Sequence, residues 1–391
     1  MIHPSISERS FLATRPRNRM MTLAAQYQDV ISLGRGDPDL PTPPHIVEAA
    51  YRAARDGQTH YTPGLGIQPL CEAISAKLKQ ENGVDYGAHE VMVTTGGQEA
   101  LCVIMQSLLN PGDEIILPTP SYTSYVLAAY LAGGVPVQVP LDLDNGFQID
   151  LAAVEPSITP RTKAIAVVSP NNPTGTVQSR RSLEGVAEIA LRHNLLVISD
   201  EIYEKVLFDG AVHHSIASFP GMRDRTIIVN GFSKAYSMTG WRVGWIAAPA
   251  SLMAPMQVVK DILTICTPAP NQWAALAALT GPQDCVEETV SIYARRRGWL
   301  LHGLRSADLP FAPSDGGLFV FGDVRHTGLS SEQFCITLLE QARVITYPGN
   351  DFGAAGEGFA RISLLAPDPR FREAVERLVR FVQQRRGKDV S

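Results

Sequence analysis

The chain has 391 residues, 45% hydrophobic and 19% charged, with 34 basic side chains against 39 acidic ones and a formal net charge of -5. It is longer than a usual single domain of roughly 100–200 residues, long enough for two domains and a full core, and its balance is that of a soluble globular enzyme. The acidic balance excludes the basic footprint that nucleic-acid binding needs.

The first stretch, MIHPSISERSFLATRPRNRMM, carries arginines but lacks the roughly 7–15-residue apolar core of a secretory signal. No run approaches the roughly 18 apolar residues of a membrane span, so a cytoplasmic protein is expected. The five cysteines, Cys71, Cys102, Cys266, Cys285 and Cys335, are odd in number, far apart and outside any zinc spacing. Reduced, mostly buried thiols are the reading that fits. The nine histidines, the pair His213–His214 included, show no paired helical spacing with a carboxylate, and no metal site is expected.

Along the chain, short β-rich runs at 91–95, 114–117, 135–139, 164–168, 195–199, 226–229 and 243–247 alternate with helical patterns. Between the first two, Leu101, Ile104, Met105 and Leu108 stand at i, i+3, i+4 and i+7, the apolar stripe of a helix packed on a sheet. The alternation predicts an α/β fold with a mainly parallel seven-stranded sheet flanked by helices. Ligands of such sheets collect outside the carboxyl ends of the strands. Four of these ends lead into polar segments: GGQEA after 91–95, SPNNPTG after 164–168, DEIY after 195–199 and NGFSK after 226–229.

The glycine pair opening a helix makes an anion site at the positive helix terminus. Lys234, set among small and hydroxyl residues past a strand end, is poorly placed for packing, but its amine can form a Schiff base with an aldehyde. Asp200 can keep a pyridine nitrogen protonated, and Gly96, Gly97, Ser233 and Arg242 offer phosphate donors. Pyridoxal 5'-phosphate asks for all three functions. Each residue has a plainer use: a solvated lysine, a helix N-cap for Asp200, a surface ion pair for Arg361. The basic run Arg295–Arg297 and the tail QQRRGK read as solvated helix faces.

SPNNPTG, SDEIY and SKAYSMTGWRVG, in this order and spacing, resemble the class I/II aminotransferases of the fold type I pyridoxal-phosphate enzymes, closest to the bacterial aspartate and aromatic branch. The resemblance runs from ISLGRGDPDLPTP to GFARISLL. It implies that Lys234 is the Schiff-base lysine and proton shuttle, that Asp200 faces the pyridine nitrogen, and that Tyr203 and Asn172 contact the phenolic oxygen. It implies a phosphate cradle of Gly96, Gly97 and Gln98 with Ser233 and Arg242, and Tyr122 stacked on the ring. Tyr61 then reaches the phosphate from a neighbouring subunit, which makes the protein a homodimer with shared sites. Arg361 corresponds to the fork for the substrate α-carboxylate, helped by Asn172 and the Gly36 backbone. The same resemblance divides the chain into a large cofactor-binding domain at 44–280 and a small domain of 1–43 plus 281–391, which closes over substrate.

The reaction so implied is ping-pong transfer of an amino group from an L-amino acid to a 2-oxo acid, with 2-oxoglutarate as the acceptor the family suggests. A C–S β-lyase or other eliminating enzyme of the same fold would share every cofactor residue. A transcription regulator would need an added DNA-binding module, and a nicotinamide dehydrogenase a GxGxxG turn that is absent. Side-chain specificity stays open: Arg15, Arg17, Arg19 and Arg35 are candidate cations for a dicarboxylate, and an apolar pocket from the same arm would favour aromatic or aliphatic substrates.

Overall fold

The computed structural model describes residues 7–12 and 19–386, so Arg15, Arg17 and the end of the QQRRGK tail lie outside the described residues. The large sheet has eight strands: β1 Val91–Thr94, β2 Glu114–Thr119, β3 Val135–Asp142, β4 Gln148–Ile149, β5 Thr162–Val168, β6 Leu196–Asp200, β7 Thr226–Gly231 and β8 Gly244–Ala247. In space they run β1-β8-β7-β6-β5-β2-β3-β4. The pairs from β7 through β6, β5 and β2 to β3 are parallel. The strand β8 lies antiparallel between β1 and β7. Parallel return needs a crossover, usually helical, and the segment joining β7 to β8 forms turns without a helix.

The seven expected strands are all present, and the sheet is one strand larger because the two-residue β4 pairs antiparallel with the end of β3. The helix Gly97–Leu108 forms where its stripe predicts and buries Leu101, Ile104 and Met105. They pack with Met92, Ile198 and Ile246 of the sheet in one apolar cluster. A second sheet, β9 Phe319–Asp323, β10 Tyr347–Pro348 and β11 Phe359–Ser363, is antiparallel with β11 in the middle. Ile31–Ser32 pairs with Val344–Ile345 and ties the N-terminal segment beside it. Met20 and Leu33 join Leu304, Phe334, Ile362 and Phe371 in a cluster drawn mainly from both ends of the chain, with Tyr203, Val206 and Phe208 entering from the middle.

The run Arg295–Arg297 is a solvated face only at Arg295, whose side chain is exposed. Arg296 is buried and holds Asp39 at 2.7 Å and Asp368 at 2.8 Å, and Arg297 reaches Asp209 at 2.7 Å. One side of the helix Asp284–Ser306 faces the core, so its central arginine needs carboxylate partners. All five cysteines are free; Cys71 and Cys335 are buried and the other three half-buried. Among the described residues no helix is long and apolar enough to cross a membrane.

Candidate active site

At the end of β1 the chain turns through Gly96 into the helix that starts at Gly97. Gly96 has φ +79°, and a Cβ there would stand 2.6 Å from Arg242 Nη2. From below, Gly244 of β8 supports the turn, where a Cβ would meet Gly96 C and Gly97 N at 2.9 Å. The backbone can come this close only because both residues lack side chains. The first-turn N–H groups of Gly97 and Gln98 have no helical acceptors, and the helix end is electropositive. Beside it stands Arg242, whose Nη1 donates to the Thr239 carbonyl at 2.8 Å. The Ser233 hydroxyl borders the same space. Backbone donors, a hydroxyl and a guanidinium together match a phosphate.

Asp200 closes β6. Its carboxylate accepts from Tyr125 Oη at 3.0 Å and from the Ile202 N–H at 3.2 Å. Burial outweighs these donors and pushes the carboxyl up from 3.8 to about 6. Just beyond, Tyr203 packs edge-on against Phe319 at 6.1 Å, and burial raises its phenol well above the usual range.

Lys234 lies past the end of β7 and donates from Nζ to the Gly36 carbonyl at 2.6 Å. Burial lowers its amine from 10.5 to about 8; Asp37 works against the shift, while Arg361 and Arg242 add to it. At pH 7 roughly a tenth of such an amine is neutral, and therefore nucleophilic, against well under a thousandth for an ordinary lysine.

Arg361 lies in β11 and is buried with rings on three sides: Phe319 at 4.2 Å, Phe352 at 4.6 Å and Tyr347 at 5.3 Å. It donates to Asn172 Oδ1 at 3.0 Å and to the Gly34 carbonyl at 2.5 Å, while its buried Nε has no hydrogen-bond acceptor among the described residues. Burial lowers this guanidinium to about 10. A buried cation held by neutral acceptors leaves a place for an anionic ligand.

A cavity of about 500 Å³ joins these groups. Every residue assigned in the sequence to the cofactor or to the substrate α-carboxylate lines it, with two exceptions. Gly96 forms the turn beneath Arg242. Tyr61 is 81% exposed and stands apart from this cavity. Tyr122 carries its hydroxyl 3.2 Å from Gln98 Oε1. Several members were missed in the sequence: Tyr125, Gly244, Thr239 and Phe319. Tyr125 stands three residues after Tyr122 in PSYTSY, and the second glycine of GWRVGW is Gly244; only the folded partners, Asp200 and Gly96, show their use.

Comparison with known proteins agrees with this geometry. The family model "Aminotransferase class I and II" matches residues 28–378. An aspartate aminotransferase of Pyrococcus abyssi is 40% identical over 371 residues, 94% of this chain and 95% of that one. An aromatic-amino-acid aminotransferase of Thermococcus litoralis is 38% identical over 371 residues, with the same coverage of each. The solved structure of Thermus thermophilus aspartate aminotransferase with maleate superposes with a TM-score of 0.91 at 38% identity, over 97% of this chain and 100% of that one. The chain belongs to the aminotransferase class I and II family.

Proposed function

We propose that the protein holds pyridoxal 5'-phosphate in the 500 Å³ cavity and transfers an amino group from an L-amino acid to a 2-oxo acid. One observation carries the cofactor: a buried amine, Lys234, shares a cavity with a glycine-built anion cradle and a buried carboxylate. The residues fit the group in charge and shape. Gly96, Gly97, Gln98, Ser233 and Arg242 would take the phosphate, Asp200 the pyridine nitrogen, Tyr122 the ring face, and Lys234 the aldehyde. Asn172 already spends its oxygen on Arg361, so its amide N–H and the Tyr203 hydroxyl are the donors left for the phenolic oxygen.

When bound, the cofactor supplies a sink for the electron pair released at the substrate Cα. The chain does the rest. Arg361 binds the α-carboxylate through its fork and orients the Cα–H bond toward Lys234. Once its Nζ is free and neutral, Lys234 takes the proton from Cα and would return it to the cofactor carbon C4', two atoms away across the amino nitrogen, as general base and then general acid. A facing positive charge offsets the burial cost of ionised Asp200, so it and the ring nitrogen would stabilise each other's charged state. Release of one 2-oxo acid and entry of another make the scheme ping-pong. The reconstituted protein should convert an L-amino acid to its 2-oxo acid once per site without an acceptor, and continuously with one. Steady release of ammonia without acceptor would point to elimination, which the named relatives do not favour.

A second cavity of about 420 Å³ opens beyond Arg361 and contains Arg35, with Tyr347, Phe352 and the carboxylates of Asp37 and Asp351 around it. Of the arginines considered for a dicarboxylate, Arg19 is paired with Glu332, which leaves Arg35 as the cation beside the site among the described residues. That supports 2-oxoglutarate as acceptor. The variant R35A should raise the KM for 2-oxoglutarate about tenfold, the worth of a charge-assisted hydrogen bond, with the KM for pyruvate unchanged; equal effects on both would remove the assignment.

A homodimer completes the reading. Val258, Ile262, Leu263 and Ile265 form an exposed apolar patch, with Ile262 84% exposed. The Thr264 hydroxyl bonds Glu99 in the first turn of the cradle helix, so the patch borders the phosphate site. A patch of this kind marks an interface, and Tyr61 of the partner subunit would then reach the phosphate. Sedimentation at the mass of one chain would remove the dimer. One apolar cluster drawn wholly from 44–280 and another drawn mainly from the two ends of the chain support the division into 44–280 and 1–43 plus 281–391, with Phe321 and Phe359 packing across it. Closure of the smaller unit over substrate would bring Arg361 toward Lys234; identical free and substrate-bound structures would remove that step.

A further inference from the structure

Behind the strand ends lies a buried polar cluster that the reaction does not use. Glu201, Glu204 and His213 have donor atoms within 4.8 Å of one another, the arrangement of a metal site. The protein supplies its own cation there. Lys77, its side chain 5% exposed, pairs with Glu204, 9% exposed, and donates to Asn82 Oδ1 at 2.6 Å. Asn82 in turn donates to Glu204 at 2.8 Å, and Glu201 accepts from Ser199 at 2.9 Å and Ser215 at 2.6 Å. A metal would have to displace Lys77 and break this set, so the cluster reads as protein scaffolding.

The end of the sheet shows what the cluster braces. The hydrogen bonds between β6 and β7 continue to Glu201 N with the Val229 carbonyl, at 2.9 Å, and the chains then part. Tyr203 and Lys234 both lie past that point, so the ladder does not fix the distance between them. Lys234 Nζ sits 5.9 Å from the centre of the Tyr203 ring. Beyond the ladder, Asn230 Nδ2 donates to Glu204 Oε1 at 2.7 Å, and Asn230 Oδ1 accepts from Gly231 N at 2.7 Å. One side chain thus clamps the start of the Lys234 loop to the residue after Tyr203.

We propose that the Asn230–Glu204 hydrogen bond is a strut that sets Lys234 against Tyr203, with Lys77 keeping Glu204 charged to receive it. Asn230, Glu204 and Lys77 are positioning residues and touch no reacting atom. Their purpose rests on the proposed reaction, but their geometry does not.

The test reads Lys234 in the cofactor-free protein, as the pH midpoint of its acylation tracked by mass spectrometry. Lys234 is surrounded by Asp37, Arg361, Arg242 and Asp200, and its low affinity for a proton comes first from burial. Without the strut the loop loosens, water reaches Nζ, and the midpoint rises toward an ordinary lysine. Asn230→Ala should raise it by about half a pH unit or more. Glu204→Gln, whose amide oxygen still accepts from Asn230, should leave it in place. An unmoved midpoint in Asn230→Ala overturns the strut, whatever happens to its melting temperature. If Asn230→Ala does not fold, the double variant Lys77→Met/Glu204→Leu removes both charges together, a change that leaves neither buried alone, and the same midpoint decides. Failure of the wild-type protein to take up pyridoxal 5'-phosphate, with the midpoint still shifted in the variant, would sink the cofactor reading alone.

Discussion

Lys234→Ala should lower turnover on the order of 10⁴-fold or more, because in the proposed reaction one side chain supplies both the covalent hold on the cofactor and the general base. The loss should fall on kcat, since Arg361 and Asn172, which would receive the substrate carboxylate, are untouched. Methylamine or ethylamine added to the alanine variant should restore part of the rate, with the restored rate tracking the fraction of unprotonated amine as pH rises. Folding should survive. The amine is buried and held well below its ordinary value, so near neutral pH its removal relieves a desolvation cost that offsets the lost packing of its stem. The melting curve of the cofactor-free variant checks this. Turnover within tenfold of the parent would remove Lys234 from the mechanism and with it the whole reading of the cavity.

Much of this site could be read in the sequence because it is built from strand ends. A strand shows itself by composition, and the residues just past a parallel strand's carboxyl end are delivered to one rim, so DEIY and NGFSK could be placed together without coordinates. Features that depend on pairing between distant segments were not legible. β4 is two residues long and exists only through its ladder with Leu141 and Asp142. The antiparallel course of β8 comes from the missing helix after Lys234, and no local pattern in GWIA reports direction. Charged residues were misjudged for the same reason. Arg296 looks like its neighbours in ARRRGW until Asp39 and Asp368 arrive from either end of the chain. Lys77 and Glu204 stand 127 positions apart, and no local pattern around either reports their pairing.

Asp200→Asn should separate stability from catalysis. The folded carboxyl titrates near 6, against an ordinary 3.8, so the fold favours the neutral acid. With respect to this group, stability is greatest below about pH 3.8 and declines as pH rises through 6, after which the charged form costs about 3 kcal/mol. Asparagine keeps the shape and removes the charge. It can still serve Tyr125 or the Ile202 N–H with its one oxygen, and the donor left facing its amide costs about 1 kcal/mol. The cofactor-free variant should therefore be more stable than the parent at pH 7 by about 1–2 kcal/mol, and the gain should disappear below about pH 4. Turnover should move the other way, by on the order of 10²–10³, because nothing would then hold a proton on the ring nitrogen. Denaturant melts of the cofactor-free proteins at pH 4 and pH 7, beside kcat for the loaded ones, measure both. A variant less stable than the parent at pH 7 would mean that Asp200 is already compensated by the protein, and a charge already compensated there would not be waiting for a protonated pyridine.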